Sequence, residues 1–437
     1  MAISLTLLFI IASYLRPGDL SPQLAALRLP FWLGNVGMLT SSVGTVVKGR
    51  TSVWRSPQLY FLIAFTLVLS LSPIIDRHWP GGAAIAFTEF STAALGYVLI
   101  VFSVDSLGKL RTLAAVMALL SVILVVQGAL AYHYDIGREL FVLDQVVGSE
   151  EDDNPAILGR VRALGYLNDP NDLAQALIAA APLLWPFWRS GRKFRNFCFI
   201  VLPSLLLLYG VFLTRSRGAA TSILIIAMFF CREKLPRFRK TASIALPLVL
   251  ALGFSLVGLS GGRDISSGDE SAAGRLDAWH AGFEMLRSSP LFGVGYSAFT
   301  DFNDLTAHNS FVLCLAELGF IGYSLWLGLL IISLWELRSV EKWAATDPEG
   351  ADLARWAAAI RFCLIAFLSG AFFLSRTYAP TLYVTLALAF VVVDVARRMG
   401  FINPAGIGAI ITRIGALSFA SVVGLYLVVR VGRLWMH

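Results

Sequence analysis

Long apolar stretches recur along this chain at a length that leaves few structural options. They lie near residues 2 to 15, 22 to 47, 57 to 75, 82 to 103, 110 to 132, 172 to 188, 197 to 213, 217 to 231, 241 to 260, 309 to 335, 356 to 373, 378 to 395 and 410 to 430. A hydrocarbon core about 30 Å thick takes about 20 helical residues to cross, and helices survive there because their backbone polar groups are satisfied internally. Of 437 residues 57% are hydrophobic and 14% charged, with mean hydropathy +0.73, whereas soluble domains are about a quarter charged. The expectation is an all-α, polytopic integral membrane protein of about 12 to 13 transmembrane helices with no soluble domain. The first run is short enough to resemble a signal peptide, but no small-residue cleavage site precedes Arg16-Pro17, so it reads as a helix.

Cytoplasmic loops are enriched in lysine and arginine. With the N-terminus inside, Lys48, Arg50 and Arg55, then Lys109 and Arg111, RSGRKFR at 189 to 195, CREKLPRFRK at 231 to 240, Arg338, Lys342, Arg355, Arg397, Arg398 and Arg413 all fall on the inner face. Every lysine is among them, and the outer cations are all arginine. Arginine is the side chain suited to bidentate phosphate binding. The net charge of +7 resides mostly in the inner loops and gives no reason to expect a nucleic-acid partner.

The outer polar material is concentrated in two long loops, a style that goes with function. The expected organisation is N-terminal membrane helices at 1–132, a loop at 133–171, helices at 172–260, a larger loop at 261–308 and helices at 309–437. The first loop holds the acidic run EEDD at 150 to 153, which reads as a solvated charge cluster, and then GRVRALGYLNDPND. In the second, Leu276, Trp279, Phe283 and Met285 to Leu286 share one side of an amphipathic helix expected to lie at the membrane surface.

Three membrane helices that enter from outside begin with polar signatures: NDPND at 168 to 172, TRSRG at 214 to 218 and AHNS at 307 to 310. Asp169 or Asn168 can cap the first of them. A helix N-terminus presents unpaired N–H groups and a partial positive charge, so it attracts anions. Arg215 and Arg217 strengthen such a site for a phosphate or diphosphate. The same field disfavours imidazolium at His308, and a neutral imidazole can take a proton from an attacking hydroxyl.

Other chemistries find no support. Cys198, Cys231, Cys314 and Cys363 are isolated in or beside apolar runs, without metal spacing or an obvious disulfide. There is no GxxxxGK[ST] loop, HExxH or DxD pair, and GVGYSAF at 293 to 299 reads as a tight loop. No metal and no cofactor is expected.

HNSFVLCLAELGFIG at 308 to 322 sets His308 and Asn309, nine residues, then Gly319 and Gly322. That spacing is similar to the signature of bacterial O-antigen ligases, in the O-antigen ligase and polymerase superfamily of GT-C-like membrane glycosyltransferases. LTRSRGAATSILI at 213 to 225 resembles the superfamily's Ser-Arg-Gly helix start, with Arg217 at the matching arginine. Arg275 through Trp279 to PLFGVG at 290 to 295, and RALGYLNDPNDLAQAL at 162 to 177, resemble further elements, so the likeness spans roughly 160 to 330.

The resemblance implies periplasmic transfer of a glycan from undecaprenyl diphosphate to an acceptor hydroxyl, inverting and without metal or nucleotide, by a multi-pass protein of the bacterial inner membrane. Arg217 and Arg275, helped by Arg215, would hold the diphosphate, and His308 would orient or deprotonate the acceptor. Asn309, Arg162, Asn171 and Arg376 are candidates for positioning substrate. The partners implied are the polyprenyl-linked donor, an acceptor such as lipid A core, a growing glycan or protein, and membrane lipid. The competing class is a transporter or flippase, which calls for charges near the midplane. Glu89 and Glu317 lie within apolar runs, and Glu317 is expected to pack against another polar helix. Gly319 and Gly322 are expected to allow close helix packing.

Overall fold

The computed structural model describes residues 1–147, 156–235, 272–403 and 407–436, with residues 237, 240, 241 and 245. The acidic run at 150 to 153, all but residues 241 and 245 of the apolar run at 241 to 260, and the start of the larger loop lie outside the described residues. Each of the other apolar runs is helical: α1 (Ala2–Leu15), α2 (Leu29–Val47), α3 (Pro57–Arg77), α4 (Pro80–Ser103), α5 (Leu107–Tyr134), α6 (Pro170–Ala180), α7 (Lys193–Leu213), α8 (Arg217–Lys234), then, beyond the loop helix α9 (Ala272–Ser288), α10 (Ser310–Ala344), α11 (Ala351–Ala371), α12 (Pro380–Arg398) and α13 (Ile407–Met436).

Among the described residues, eight helices are long and apolar enough to cross a membrane: α3, α4, α5, α7, α10, α11, α12 and α13. Of the others, α1 and α6, at 14 and 11 residues, are shorter for local reasons, while α2 and α8, at 19 and 18, are long enough but less apolar or more charged. Positive φ at Arg16 and Arg28 ends α1 and delays α2. Pro182 and Pro186 tighten α6 into a 3-10 turn over Ala181–Phe187, because proline removes a helical donor. The polytopic helical class thus holds, although among the described residues fewer helices combine spanning length with an apolar window than the apolar runs suggest.

Ion pairs sort the bundle into two ends. At one, Lys48 and Lys109 meet Asp105, Arg50 and Arg398 meet Asp394, and Arg361 meets Glu233 and Glu341. At the other, Arg77 meets Asp301, Arg376 meets Asp172 and Arg433 meets Asp277. Among the described residues every ion pair joins side chains that the charge pattern assigns to the same face. The centre of the bundle is α12, 89% of whose apolar window is buried, while α13 lies at the edge with 17%.

Two features depart from regular helices. The first outer loop contains an antiparallel hairpin, β1 (Val142–Val147) with β2 (Ala156–Val161), Val142 opposite Val161, where only helices and connectors were expected. Its alternating, β-branched residues favour the pleated form. The second lies within α10, where Gly319 adopts φ 62°, ψ −167° and the helix breaks. The loop at 290 to 295 fills the break: Val294 and Gly295 N–H donate to the Ala316 and Glu317 carbonyls, both at 3.0 Å. In return Phe320 and Ile321 N–H donate to the Pro290 and Leu291 carbonyls, at 2.9 and 3.1 Å. Backbone groups freed by a break inside a membrane helix need such partners.

This corrects the expectation that Gly319 and Gly322 serve helix-helix packing. A Cβ on Gly319 would strike the Leu291 backbone, and one on Gly322 would strike Leu318 of its own helix. Both glycines serve the break. Gly293, at φ 69°, lies against Ala316 and Glu317 from the loop side.

Candidate functional site

The three polar mouths are helix N-termini, each closed by its own side chain. Asp169 caps α6 by accepting from Asn171 N–H at 2.7 Å, with Pro170 at the first helical position. Ser216 caps α8 by accepting from Ala219 N–H at 3.3 Å. Asn309 caps α10 by accepting from Phe311 and Val312 N–H at 2.9 and 3.1 Å. Short polar side chains at these positions satisfy donors that a helix start leaves open. Arg215 and His308 occupy equivalent places, each immediately before the cap and each with positive φ, 54° and 44°. That backbone is uncommon outside glycine, and at both positions it turns the chain sharply into the helix.

Two arginines tie the mouths together. Arg376, in the turn between α11 and α12, pairs with Asp172 in the first turn of α6, and its N–H donates to Ser310 Oγ of α10 at 2.7 Å. Ser310 Oγ in turn donates to the Leu374 carbonyl at 2.6 Å, and Thr377 Oγ1 to the Ser310 carbonyl at 2.8 Å. Arg160, from β2, donates to the Thr214 carbonyl just before α8 and to Asn171 Oδ1 of α6, both at 3.1 Å. The first turn of α8 also lies against the same turn, since a Cβ on Gly218 would stand 3.7 Å from Phe373 Cβ.

Asp172 is only 3% exposed, so removing its partner leaves a buried carboxylate uncompensated. Arg376→Ala is expected to cost about 3 kcal/mol of stability, and the double change with Asp172→Asn distinctly less. Thermal unfolding in detergent checks the pair; equal losses in the single and double variants would contradict it.

The remaining candidates divide by what they touch. Arg217 and Arg215 are exposed and make no ion pair among the described residues; the Arg215 guanidinium stands 4.9 Å from the Phe212 ring centre. Arg275 and Trp279 belong to α9, which lies on the first turns of α10 beside Val312 and Ala316 at Gly282. Trp279 is 1% exposed, and its indole N–H donates to the Ala307 carbonyl at 2.8 Å, holding the residue before His308. His308 itself is half-buried. The apolar side of α9 is thus covered by α10 and α13, where a helix lying in the membrane surface was expected. Arg162 donates to the Glu139 carbonyl at 3.1 Å, and Asn171 accepts from Arg160. These two, with Arg376 and the Asn309 cap, make protein contacts that brace the mouths.

Arg160, Asp172 and Ser310 were not singled out as site residues. Their roles rest on pairings between distant segments, which spacing along the chain does not carry. Glu317, 2% exposed, accepts from Tyr378 Oη at 2.7 Å and Phe299 N–H at 3.3 Å. It anchors the loop entering the break, and its partners lie in the connecting segments before α10 and α12, where packing against another polar helix was expected.

Below the α8 mouth an apolar cleft of about 400 Å³ opens between α6, α7 and α8, lined by Leu177, Trp185, Leu208, Ile223 and Phe230 among others. The apolar cleft thus lies between the same helices, α6 and α8, that carry two of the polar mouths.

Residues 202–327 match the family model described as O-antigen ligase. The match, over 202–327 alone, supports the resemblance to the O-antigen ligase and polymerase superfamily and a multi-pass membrane glycosyltransferase of the ligase or polymerase type. It covers the mouths of α8 and α10, all of α9 and the break at Gly319. Comparison with curated proteins finds no match.

Proposed function

We propose that the protein transfers a glycan from undecaprenyl diphosphate to an acceptor hydroxyl at the end of the bundle that carries the three mouths. The lysine distribution supports a periplasmic position for that end, in a bacterial inner membrane. The observation that carries the reading is the convergence of three helix N-termini and two exposed arginines above an apolar cleft suited to a polyprenyl chain. N-terminal N–H groups and guanidinium forks are complementary to a diphosphate.

In this reading Arg217 and Arg275, with Arg215, bind the diphosphate. His308 accepts the proton of the acceptor hydroxyl as its oxygen attacks the anomeric carbon. The bond from that carbon to the phosphate oxygen breaks, the electron pair leaves with undecaprenyl diphosphate, and the arginines stabilise the charge that develops. Direct displacement inverts the anomeric centre. The acceptor is a hydroxyl of lipid A core, of a second polyprenyl-linked glycan or of protein; no step in this scheme calls for a metal. The tie of Glu317 to Tyr378 and Phe299 weighs against a proton path through α10 and so against the transporter alternative.

Purified protein given a polyprenyl-diphosphate glycan and candidate acceptors tests this. Arg217→Ala is expected to lower turnover by about 10²–10³-fold, with Arg217→Lys restoring part of it. Glycan left unchanged by the unmodified protein with every acceptor class would overturn the proposal.

A further inference from the structure

A second cationic cleft, of about 590 Å³, lies between α9 and the outer end of α13. Its α9 wall presents His280, Phe283, Glu284 and Arg287, and its α13 wall Tyr426, Arg430 and Arg433. Phe283 and Tyr426 meet edge to face at 5.5 Å and close its base. We propose that this cleft binds the phosphate headgroup of an anionic membrane lipid, at a site separate from the one that holds the donor.

The charges here are poorly compensated. Arg287 and Glu284 stand 3.9 Å apart, Arg433 and Asp277 3.8 Å, and Arg430 makes no ion pair among the described residues. The polar cleft at the opposite end of the bundle differs: Lys48 lies 2.6 Å from Asp105, and Arg50 2.8 Å from Asp394. Attraction for an incoming anion therefore remains at the α9–α13 cleft, and guanidinium forks match phosphate oxygens.

The helix surface indicates that the anion arrives on a lipid. Phe419, Val423, Tyr426 and Leu427 are exposed and lie on one stripe of α13, in line with Arg430 and Arg433 at its outer end. An acyl chain laid along this stripe brings its phosphate to the arginines. Arginine stems at a helix end suit this boundary, and Arg287 and His280, from a different helix, convert an interfacial anchor into a two-walled site.

The test uses the full chain in detergent, with lipid adducts counted by native mass spectrometry. Phosphatidylglycerol is expected to bind in preference to phosphatidylcholine. Arg430→Ala with Arg433→Ala should weaken phosphatidylglycerol binding by about fivefold per arginine. Arg413→Ala, near the opposite end of α13, should leave it unchanged. If the double variant does not fold, Arg287→Ala, at a side chain 83% exposed, carries the same fivefold expectation. Equal binding of the two lipids, an undiminished adduct in the variants, or complete displacement of the lipid by excess inorganic phosphate would each overturn the proposal.

Discussion

Replacing His308 by asparagine is expected to lower turnover by about 10²–10⁴-fold, the usual contribution of a positioned general base, while the protein still purifies as a folded species. Asparagine is the instructive choice because His308 has φ 44°, and asparagine tolerates left-handed backbone better than alanine. The Asn309 cap and the Trp279 to Ala307 hydrogen bond hold both sides of the position without using the imidazole. A loss confined to turnover, with melting temperature and donor binding unchanged, is the expected outcome. Full activity in His308→Asn would remove histidine from the mechanism.

Gly319→Ala is expected to act through the fold. At φ 62° and ψ −167° the backbone occupies a region essentially reserved for glycine, and the added Cβ would meet the Leu291 carbonyl. Relief requires the loop at 290 to 295 to withdraw, at the expense of hydrogen bonds to and from α10. The cost is at least about 3 kcal/mol, a large part of a typical domain's stability. Melting temperature and yield in detergent should fall together. Gly415→Ala, where a Cβ meets nothing within 4 Å, should change neither; a Gly319→Ala protein as stable as the parent would refute the account of the break.

Much of this was legible in the sequence, because helix starts are written locally. Asp169 was one of the two caps expected for its helix; Ser216 and Asn309, the latter expected to position substrate, also precede apolar runs as short polar residues do at helix starts, and the ion pairs agree with the two ends expected from the basic residues. The break in α10 was not legible. Apart from Glu317 the stretch FVLCLAELGFIG is apolar or small on every side, so periodicity cannot tell a continuous helix from one opened for another segment, and PLFGVG gives no sign of where it docks. The bracing by Arg160 and Arg376 was hidden for the same reason: Arg376 was expected to position substrate, and its partner Asp172 lies 204 positions away in the sequence.

The break also bears on how this protein enters a membrane. The stub of α10 at 310 to 318 is too short to cross alone, and its last carbonyls depend on N–H groups supplied from residues 294 and 295. In hydrocarbon each such carbonyl left without a donor costs several kcal/mol. The unit that partitions from the translocation machinery into lipid is therefore the whole of 290 to 344, with the loop seated before or as the stub enters. The chain supplies them in that order: PLFGVG is synthesised first and is already on hand when His308 and its helix emerge.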